Sequence, residues 1–181
     1  KLTGQLIYRD SDTSGLKLSS KVGLELPNKW THVIFKLKSP SFAKASEGKQ
    51  NSYLYYNDIR QFGWIRIIQS SKLKDQSFFR DLGPEFFKDL DFERFRNIVS
   101  KSNLKIKVLI MDQKKMSGIG NIYANDALFD AKIDPRRSAS LLSEEEAKRL
   151  FDSILKVLKK GLENGGASEL NFVNALGQEG K

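Results

Sequence analysis

The stretch MDQKKMSGIGNIYANDALF, residues 111–129, reveals more about this fold than any other part of the sequence. Gly118 and Gly120 flank one isoleucine and let the backbone turn and approach a ligand closely. Asn121 follows at once, and we expect its side chain to cap a helix running through residues 123–128. The start of such a helix presents unpaired N–H groups and a partial positive charge. The stretch is therefore typical of a phosphate-binding turn, although Gly-x-Gly-Asn alone also fits an ordinary capped turn.

The composition favours a polyanionic partner. The chain has 181 residues, with 31 Lys and Arg against 22 Asp and Glu, a net charge of +9 and a pI near 9.6. This excess does not separate DNA from RNA or an acidic membrane. The sequence lacks an apolar run of the roughly 18 residues that span a membrane. It also lacks cysteine, and its single His32 cannot form a metal site alone, so we expect no cofactor in this chain.

The first 70 residues are strand-like. Four stretches rich in β-branched and aromatic residues are separated by turn-forming residues: LTGQLIYR, HVIFKLK, YLYYND and FGWIRII. Their spacing predicts an antiparallel sheet or sandwich. Residues 39–52 are small and polar, which is typical of a solvated loop inserted in a hairpin.

From about residue 88 the apolar period becomes helical, after a short helix expected within residues 75–87. The clearest helix begins at a capping box formed by Ser143 and Glu146 and ends at Gly165 and Gly166. Its predicted buried face comprises Leu150, Phe151, Ile154, Leu155, Leu158 and Leu162. The fold class is therefore α+β: a partial antiparallel β-sandwich followed by a helical domain.

Residues 111–129 resemble the helix-two-turn-helix signature of the formamidopyrimidine-DNA glycosylase family. The match is long and ungapped: Met-Asp-Gln, then Gly-Ile-Gly-Asn-Ile-Tyr, then Asp-Ala-Leu-Phe. The resemblance implies that residues 1–87 are the C-terminal part of a catalytic β-sandwich domain. Residues 88–176 would form the helix-two-turn-helix DNA-binding domain, and residues 177–181 would begin the zinc-finger region.

A second resemblance lies in YNDIRQFG, residues 56–63, where the family has Asp-Pro-Arg-Arg-Phe-Gly. It implies that Arg60 and Phe62 enter DNA beside an extruded nucleotide. A planar ring can fill the gap in the base stack, and a guanidinium can bond the orphaned base. Ile59 for proline and Gln61 for the second arginine are departures that affect loop rigidity and one cationic contact. Leu2, in Leu-Thr-Gly where the family has methionine, would be the third intercalating residue.

The resemblance also implies a set of phosphate-binding residues around the glycine turn. His32 resembles a family position on the DNA-facing side of the sheet, but the sequence is equally typical of a packed, hydrogen-bonded histidine. The pairs Lys159-Lys160 and Arg136-Arg137 are expected on solvated faces, where they contribute only to the long-range field. The predicted phosphate-binding residues are Lys107, Gly118, Gly120, Asn121, Tyr123 and His32.

The family chemistry implies a bifunctional DNA glycosylase/AP lyase of base-excision repair that removes formamidopyrimidines and 8-oxoguanine. Its nucleophile is an N-terminal proline amine that forms a Schiff base. That proline and the four cysteines of the family's zinc finger are not among residues 1–181. We therefore expect an inactive internal fragment lacking both ends, with one zinc ion in the parent protein. The expected partner is double-stranded DNA with an oxidised base or abasic site, bound by a monomer in the bacterial cytoplasm, at the nucleoid.

Three alternatives stay open at this point. An endonuclease VIII-like enzyme would favour oxidised pyrimidines, although residues 111–113 and 121–129 lean toward the formamidopyrimidine branch. A non-catalytic damaged-DNA-binding protein would carry the same binding motifs. An RNA-binding module could also use a helix-two-turn-helix element, but a β-rich half carrying Arg60 and Phe62 argues against it.

Overall fold

The computed structural model describes residues 4–23, 25–37, 51–73, 75–166 and 173–179. Contacts divide the chain into two compact units: unit 1 comprises Lys1–Arg66 with Glu163–Lys181, and unit 2 comprises Ile67–Leu162. The sequence placed a boundary at residue 87 instead. Residues 67–87 belong to the helical unit because Phe86 is buried in the core of that unit. The predicted loop at 39–52 lies almost wholly outside the described residues.

Unit 1 contains a three-stranded antiparallel sheet in the order β1-β3-β2, formed by β1 (Gly4–Arg9), β2 (Thr31–Leu37) and β3 (Ser52–Asp58). Alternate residues of β1 are buried, namely Gln5, Ile7 and Arg9, as expected for a strand with one covered face. Because β1 and β3 are antiparallel, Gly4 pairs with Asp58 and Arg9 pairs with Tyr53. The C-terminal ends of these two strands therefore lie at opposite ends of the sheet.

A segment from the far end of the chain covers the outer edge of β1. The Tyr8 N–H donates to the Ala175 carbonyl at 2.7 Å, and the Ser19 N–H donates to the Gly177 carbonyl at 2.9 Å. Gly177 has φ 75°, and a Cβ there would lie 2.6 Å from Leu18 Cδ2. The positive φ favours glycine here, and any other residue would also displace the Leu18 side chain. Residues 173–179 are therefore an integral part of unit 1.

The fourth predicted strand, residues 62–68, is wrong. These residues have no strand hydrogen bonds within the described chain, and Trp64 and Ile67 are 72% and 97% exposed. Residues with a high propensity for strands form a strand only where a partner strand is available. Here β3 is already paired on both sides, by β1 and β2.

Unit 2 is helical and is built around one apolar core. Its helices are α1 (Ser77–Arg80), α2 (Phe92–Ser100), α3 (Ile106–Ile110), α4 (Asn121–Asp130) and α5 (Glu144–Glu163). Phe86, Phe95 and Phe151 meet at the centre with ring centroids 5.1–5.9 Å apart. Such clusters bury large apolar areas and add favourable ring geometry. The predicted α+β class is confirmed.

Helix α5 confirms the capping box and corrects one buried position. The Glu146 N–H donates to Ser143 Oγ at 3.1 Å, and the Ser143 N–H donates to Glu146 Oε2 at 2.9 Å. Gly165 and Gly166 follow the helix with φ 74° and 102°. Leu162, predicted to be buried, is 73% exposed because the last turn of α5 extends past the core. Among the described residues, no helix is long and apolar enough to cross a membrane.

Candidate nucleic-acid interface

The first candidate element is the turn that follows β3, residues 58–63, here called the Asp58 turn. Asp58 is 1% exposed, and its carboxylate accepts three hydrogen bonds from other described residues. The donors are the Tyr56 hydroxyl at 3.1 Å, the Arg60 N–H at 3.3 Å and the Gly63 N–H at 2.8 Å. A carboxylate that accepts backbone N–H groups in this way fixes a turn strongly. Sequence reasoning missed Asp58, although an aspartate before a turn with a glycine is a recognisable signal.

The Asp58 turn presents the two predicted intercalating residues to solvent. Arg60 is exposed, Phe62 is 76% exposed, and the guanidinium carbon lies 4.9 Å from the centre of the Phe62 ring. Gln61 between them has φ 57°, an uncommon conformation for a residue with a side chain. The structure thus brings Arg60 and Phe62 together on one tight turn. Leu2, the third predicted member, lies outside the described residues.

His32 lies beside the same turn. A β-bulge between Thr31 and Val33 shifts the register of β2, and bulges commonly redirect a side chain. The exposed His32 donates from Nε2 to the Asp58 carbonyl at 2.8 Å. Of the packed, hydrogen-bonded histidine considered from the sequence, the hydrogen bond is present but the ring is exposed and not packed. A contact of His32 with DNA stays a prediction.

The second candidate element is the turn before α4, residues 113–120, here called the Gln113 turn. Gln113 Oε1 accepts from the Gly118 N–H at 3.1 Å, and its Nε2 donates to the Ile119 carbonyl at 2.9 Å. Its Nε2 also donates to the Met111 carbonyl at 3.1 Å. One amide thus closes the turn from both sides. Sequence reasoning missed this role, because an exposed glutamine carries no distinctive pattern.

Residues 83–86 hold the Gln113 turn in place through backbone hydrogen bonds. The Gly83 N–H donates to the Gln113 carbonyl at 2.8 Å, and the Ser117 N–H donates to the Pro84 carbonyl at 2.8 Å. A Cβ on Gly83 would lie 2.7 Å from the Lys114 carbonyl oxygen. Because that obstacle is backbone, a side chain at Gly83 requires the turn itself to move. Gly83 was also missed, since its role depends on a neighbour distant in sequence.

The start of α4 corrects the predicted cap. The N-cap residue is Gly120, in an extended conformation at φ −103° and ψ 178°, and no side chain of the described residues caps this helix. Asn121 is therefore the first helical residue, exposed and not a cap. The first amides of α4 are left for other acceptors, which is the usual basis of anion binding at a helix start. Gly118 has φ 97°, and nothing lies within 4 Å of a Cβ placed on Gly120.

Tyr123 and Lys107 occupy different surroundings. The half-buried Tyr123 packs its hydroxyl end against Gly161 of α5, where an added Cβ would lie 2.6 Å from Tyr123 Cζ. Tyr123 is thus also a packing residue. Lys107 is half-buried in α3, and its ammonium has no hydrogen bond or ion pair with any other described residue. Its charge is available to an anionic ligand.

The sequence predicted that Arg136 and Arg137 lie on solvated faces. In the structure both guanidinium groups also form ion pairs with carboxylates. Arg137 makes two hydrogen bonds to the Glu146 carboxylate, at 2.6 and 3.0 Å, and a third to the Leu141 carbonyl. These bonds, helped by the Ser143 N–H, hold the pKa of Glu146 at about 2. Hydrogen bonds from Arg136 likewise hold the pKa of Asp134 at about 2. Both arginines are paired within unit 2. The candidate anion contacts predicted from the sequence in this unit are Lys107 and the start of α4.

Comparison with protein families supports the assignment of unit 2. Residues 82–172, half of the chain, match the model of the formamidopyrimidine-DNA glycosylase H2TH domain. The formamidopyrimidine-DNA glycosylase of Streptococcus agalactiae serotype III is 38% identical over 154 residues, which cover 84% of this chain and 52% of that protein. The enzyme of the same name from Streptococcus pyogenes serotype M3 is 35% identical over 182 residues, covering 98% of this chain and 61% of that protein.

Solved structures of proteins from the same family resemble this chain as well. The Lactococcus lactis Fpg in complex with abasic-site DNA superimposes with a TM-score of 0.74 at 28% identity, over 100% of this chain and 58% of that one. MutM in complex with DNA containing carbocyclic 8-oxo-G gives a TM-score of 0.71 at 28% identity, over 93% and 55%. This chain spans about half to three fifths of the length of these relatives. It belongs to the formamidopyrimidine-DNA glycosylase family.

Proposed function

We propose that this chain is the damaged-DNA-binding part of a DNA glycosylase/AP lyase that removes oxidised purines in base-excision repair. Family membership and the DNA complexes of the related Fpg and MutM proteins support the proposal. One observation carries it for this chain: the Asp58 turn holds an exposed Phe62 ring and an exposed Arg60 guanidinium against each other. The expected partner is duplex DNA that contains an abasic site or an oxidised base.

The exposure of Phe62 fits a role in DNA. Phe62 is 76% exposed, so its ring contributes little to packing in the folded protein beyond its contact with the Arg60 guanidinium. Inserted into a duplex, its ring fills the space that an extruded nucleotide leaves in the base stack. The adjacent Arg60 has donors for the edge of the unpaired base opposite. Leu2 is proposed as a third residue of the same wedge.

Phosphate contacts would come from both units. In unit 2 the first amides of α4 would hold one phosphate, with the predicted residues Gly118, Gly120, Asn121, Lys107 and Tyr123 around it. The Gly118 N–H itself is bonded to Gln113, so Gly118 would act by shaping the turn. In unit 1 His32 would contact the backbone next to the Asp58 turn. Such contacts position the protein and are independent of sequence. Together with the net charge of +9, they imply binding that weakens steeply with salt.

The chemistry of the parent protein is assigned by family analogy. We place the N-terminal proline nucleophile and a zinc finger with one zinc ion in the portion of the family chain that residues 1–181 do not span. The described residues hold no group of three or more histidine, cysteine, aspartate or glutamate side chains suited to a metal. The relatives are bacterial proteins, which supports action on the nucleoid in the cytoplasm.

Fluorescence anisotropy with short duplexes tests the proposal. The 181-residue protein should prefer a duplex with a tetrahydrofuran abasic site over the undamaged duplex, and Phe62→Ala should lower that preference about tenfold. Phe129→Ala is the matched control, because Phe129 is 88% exposed on α4 and has no proposed DNA role. Equal affinity of the unaltered protein for both duplexes, or tighter binding of structured RNA, would overturn the proposal.

Two further measurements separate the alternatives. Borohydride treatment of the complex with abasic DNA should trap no covalent adduct, because the family's proline is not among residues 1–181. A trapped adduct would show that the chain carries its own nucleophile. Duplexes with 8-oxoguanine should bind more tightly than duplexes with an oxidised pyrimidine. The reverse order would favour the endonuclease VIII-like alternative.

A further inference from the structure

The carboxylate of Asp58 is the point at which the whole Asp58 turn is fastened. Oδ1 accepts from the Arg60 N–H, while Oδ2 accepts from the Gly63 N–H and the Tyr56 hydroxyl. The backbone of Asp58 is fixed as well, because its N–H donates to the Trp30 carbonyl and its carbonyl accepts from His32. The backbone amides on both sides of residues 61 and 62 thus converge on one buried side chain.

An ionised carboxylate suits this position in a way that an amide does not. It only accepts hydrogen bonds, and its three partners within residues 56–63 all donate. An asparagine of the same shape would direct an N–H₂ group at one set of these donors. Either the Arg60 N–H or the pair from Gly63 and Tyr56 would then lose its acceptor. The turn would keep its length and composition but lose its fixed conformation.

The same local chemistry occurs once more in unit 1, at the other end of the sheet. The Tyr8 hydroxyl donates to Asp10 Oδ2 at 2.9 Å, as the Tyr56 hydroxyl donates to Asp58 Oδ2 at 3.1 Å. Asp10 Oδ1 also accepts from the Thr13 N–H at 2.9 Å and closes a turn. The antiparallel pairing of β1 and β3 puts these two Tyr-x-Asp turns at opposite sheet ends. The Asp10 turn therefore provides an internal control for the Asp58 turn.

We propose that Asp58 is a positioning residue for damage recognition: its buried carboxylate holds Arg60 and Phe62 in the arrangement that enters damaged DNA. The inference rests on the proposed function. Asp58 is only 1% exposed, so its carboxylate would act through the turn without touching the ligand. General affinity for DNA and preference for a lesion are thereby separable, because the phosphate contacts assigned to unit 2 do not involve Asp58. His32, the phosphate contact proposed in unit 1, bonds to the backbone carbonyl of Asp58 and not to its carboxylate.

The test uses Asp58→Asn and Asp10→Asn in the 181-residue protein, with Phe62→Ala as reference. Binding is measured to an undamaged duplex and to a duplex carrying 2-aminopurine opposite a tetrahydrofuran site. In the unaltered protein, binding should change the fluorescence of the 2-aminopurine because the inserted residues alter its stacking. We expect Asp58→Asn to lower the preference for the abasic duplex about tenfold, as Phe62→Ala does, and to abolish this change in fluorescence on binding. Affinity for the undamaged duplex should stay within about twofold. Asp10→Asn should change neither the preference for the abasic duplex, nor the 2-aminopurine signal, nor the affinity for the undamaged duplex.

Tyr56→Phe keeps the experiment decisive if Asp58→Asn does not fold. It removes one donor to the carboxylate and no charge, so we expect a smaller loss of preference in the same direction. Retained preference and fluorescence in Asp58→Asn or in Tyr56→Phe would overturn the inference, as would an equal loss in Asp10→Asn. If the unaltered protein shows no preference for the abasic duplex, the proposed function itself has failed. A preference that is present but insensitive to Asp58 rejects the positioning role alone.

Discussion

The two candidate turns use the same closure with different chemistry. In each, one side chain accepts a hydrogen bond from the glycine N–H five residues later: Asp58 from Gly63, and Gln113 from Gly118. Asp58 is buried and only accepts, whereas Gln113 is exposed and also donates to two carbonyls. The Asp58 turn therefore depends on one charge. The Gln113 turn depends on many neutral contacts, several of them from residues 83–86.

The largest expected effect comes from Asp58→Ala. It removes an acceptor from three donors, one of them the hydroxyl of buried Tyr56, and we expect a loss of about 3 kcal/mol in the free energy of unfolding. Urea unfolding followed by circular dichroism measures it. A loss equal to that of Gln113→Ala would show that the two turns do not differ as described.

Gly83→Ala should have the next largest effect. The added Cβ meets the Lys114 carbonyl oxygen at 2.7 Å, so the Gln113 turn has to shift, at a cost of about 2 kcal/mol in unfolding free energy. Gly120→Ala is the control, because nothing lies within 4 Å of its Cβ. The same urea experiment compares them. Equal stability of the two variants would show that residues 83–86 do not hold this turn in place.

Gln113→Ala should be milder, at about 1 kcal/mol. Three hydrogen bonds are lost, but Gln113 is exposed, and water can replace its amide at each partner. The backbone bonds from Gly83 and Ser117 stay in place. A loss as large as that of Asp58→Ala would mean that the Gln113 turn also depends on a single side chain.

The pH dependence of unit 2 should be a smaller effect still. Glu146 has its pKa lowered to about 2 in the folded protein by Arg137, against 4.5 ordinarily. Its stabilising contribution is therefore complete above about pH 4.5 and is lost as the pH falls toward 2. The pair is partly exposed and screened, so we expect under about 1 kcal/mol. Glu146→Gln should flatten the stability of unit 2 between pH 4.5 and 2, and an unchanged slope would contradict this.

Asn121→Ala should change stability least, by less than about 0.5 kcal/mol, because the Asn121 side chain caps nothing. Ser143→Ala is its counterpart at a true cap, where about 1 kcal/mol is expected. Thermal unfolding of the two variants compares them. A larger loss in Asn121→Ala would restore the cap that the sequence predicted.

Local patterns explain what the sequence predicted well. The capping box of Ser143 and Glu146 needs only residues three apart, and Gly165 and Gly166 end a helix by their own conformational freedom. The placement of Arg60 and Phe62 on one turn also followed from a short contiguous motif. These features are decided within a few residues of chain.

Features that depend on distant partners were not predictable. Residues 62–68 have strand composition but no strand partner in the described chain. Arg137 was expected in solvent but bonds to Glu146. Asp58 and Gln113 are different, because their partners lie within six residues. Asp58 was recognisable as an aspartate before a turn with a glycine, whereas an exposed glutamine carries no distinctive pattern. The prediction of Asn121 as the N-cap of α4 is wrong by one residue, which is the usual uncertainty of a helix boundary.

The docking of residues 173–179 against β1 has a consequence for synthesis. Unit 2 is continuous in the chain, whereas unit 1 joins residues 1–66 to residues 163–181. A ribosome delivers residues in order, and domains fold as they emerge. The edge of β1 at Tyr8 must therefore wait for Ala175, which is translated after the whole of unit 2. Unit 1 is therefore begun before unit 2 and completed after it, and until residues 173–179 dock, the edge of β1 stays open to pairing with another strand.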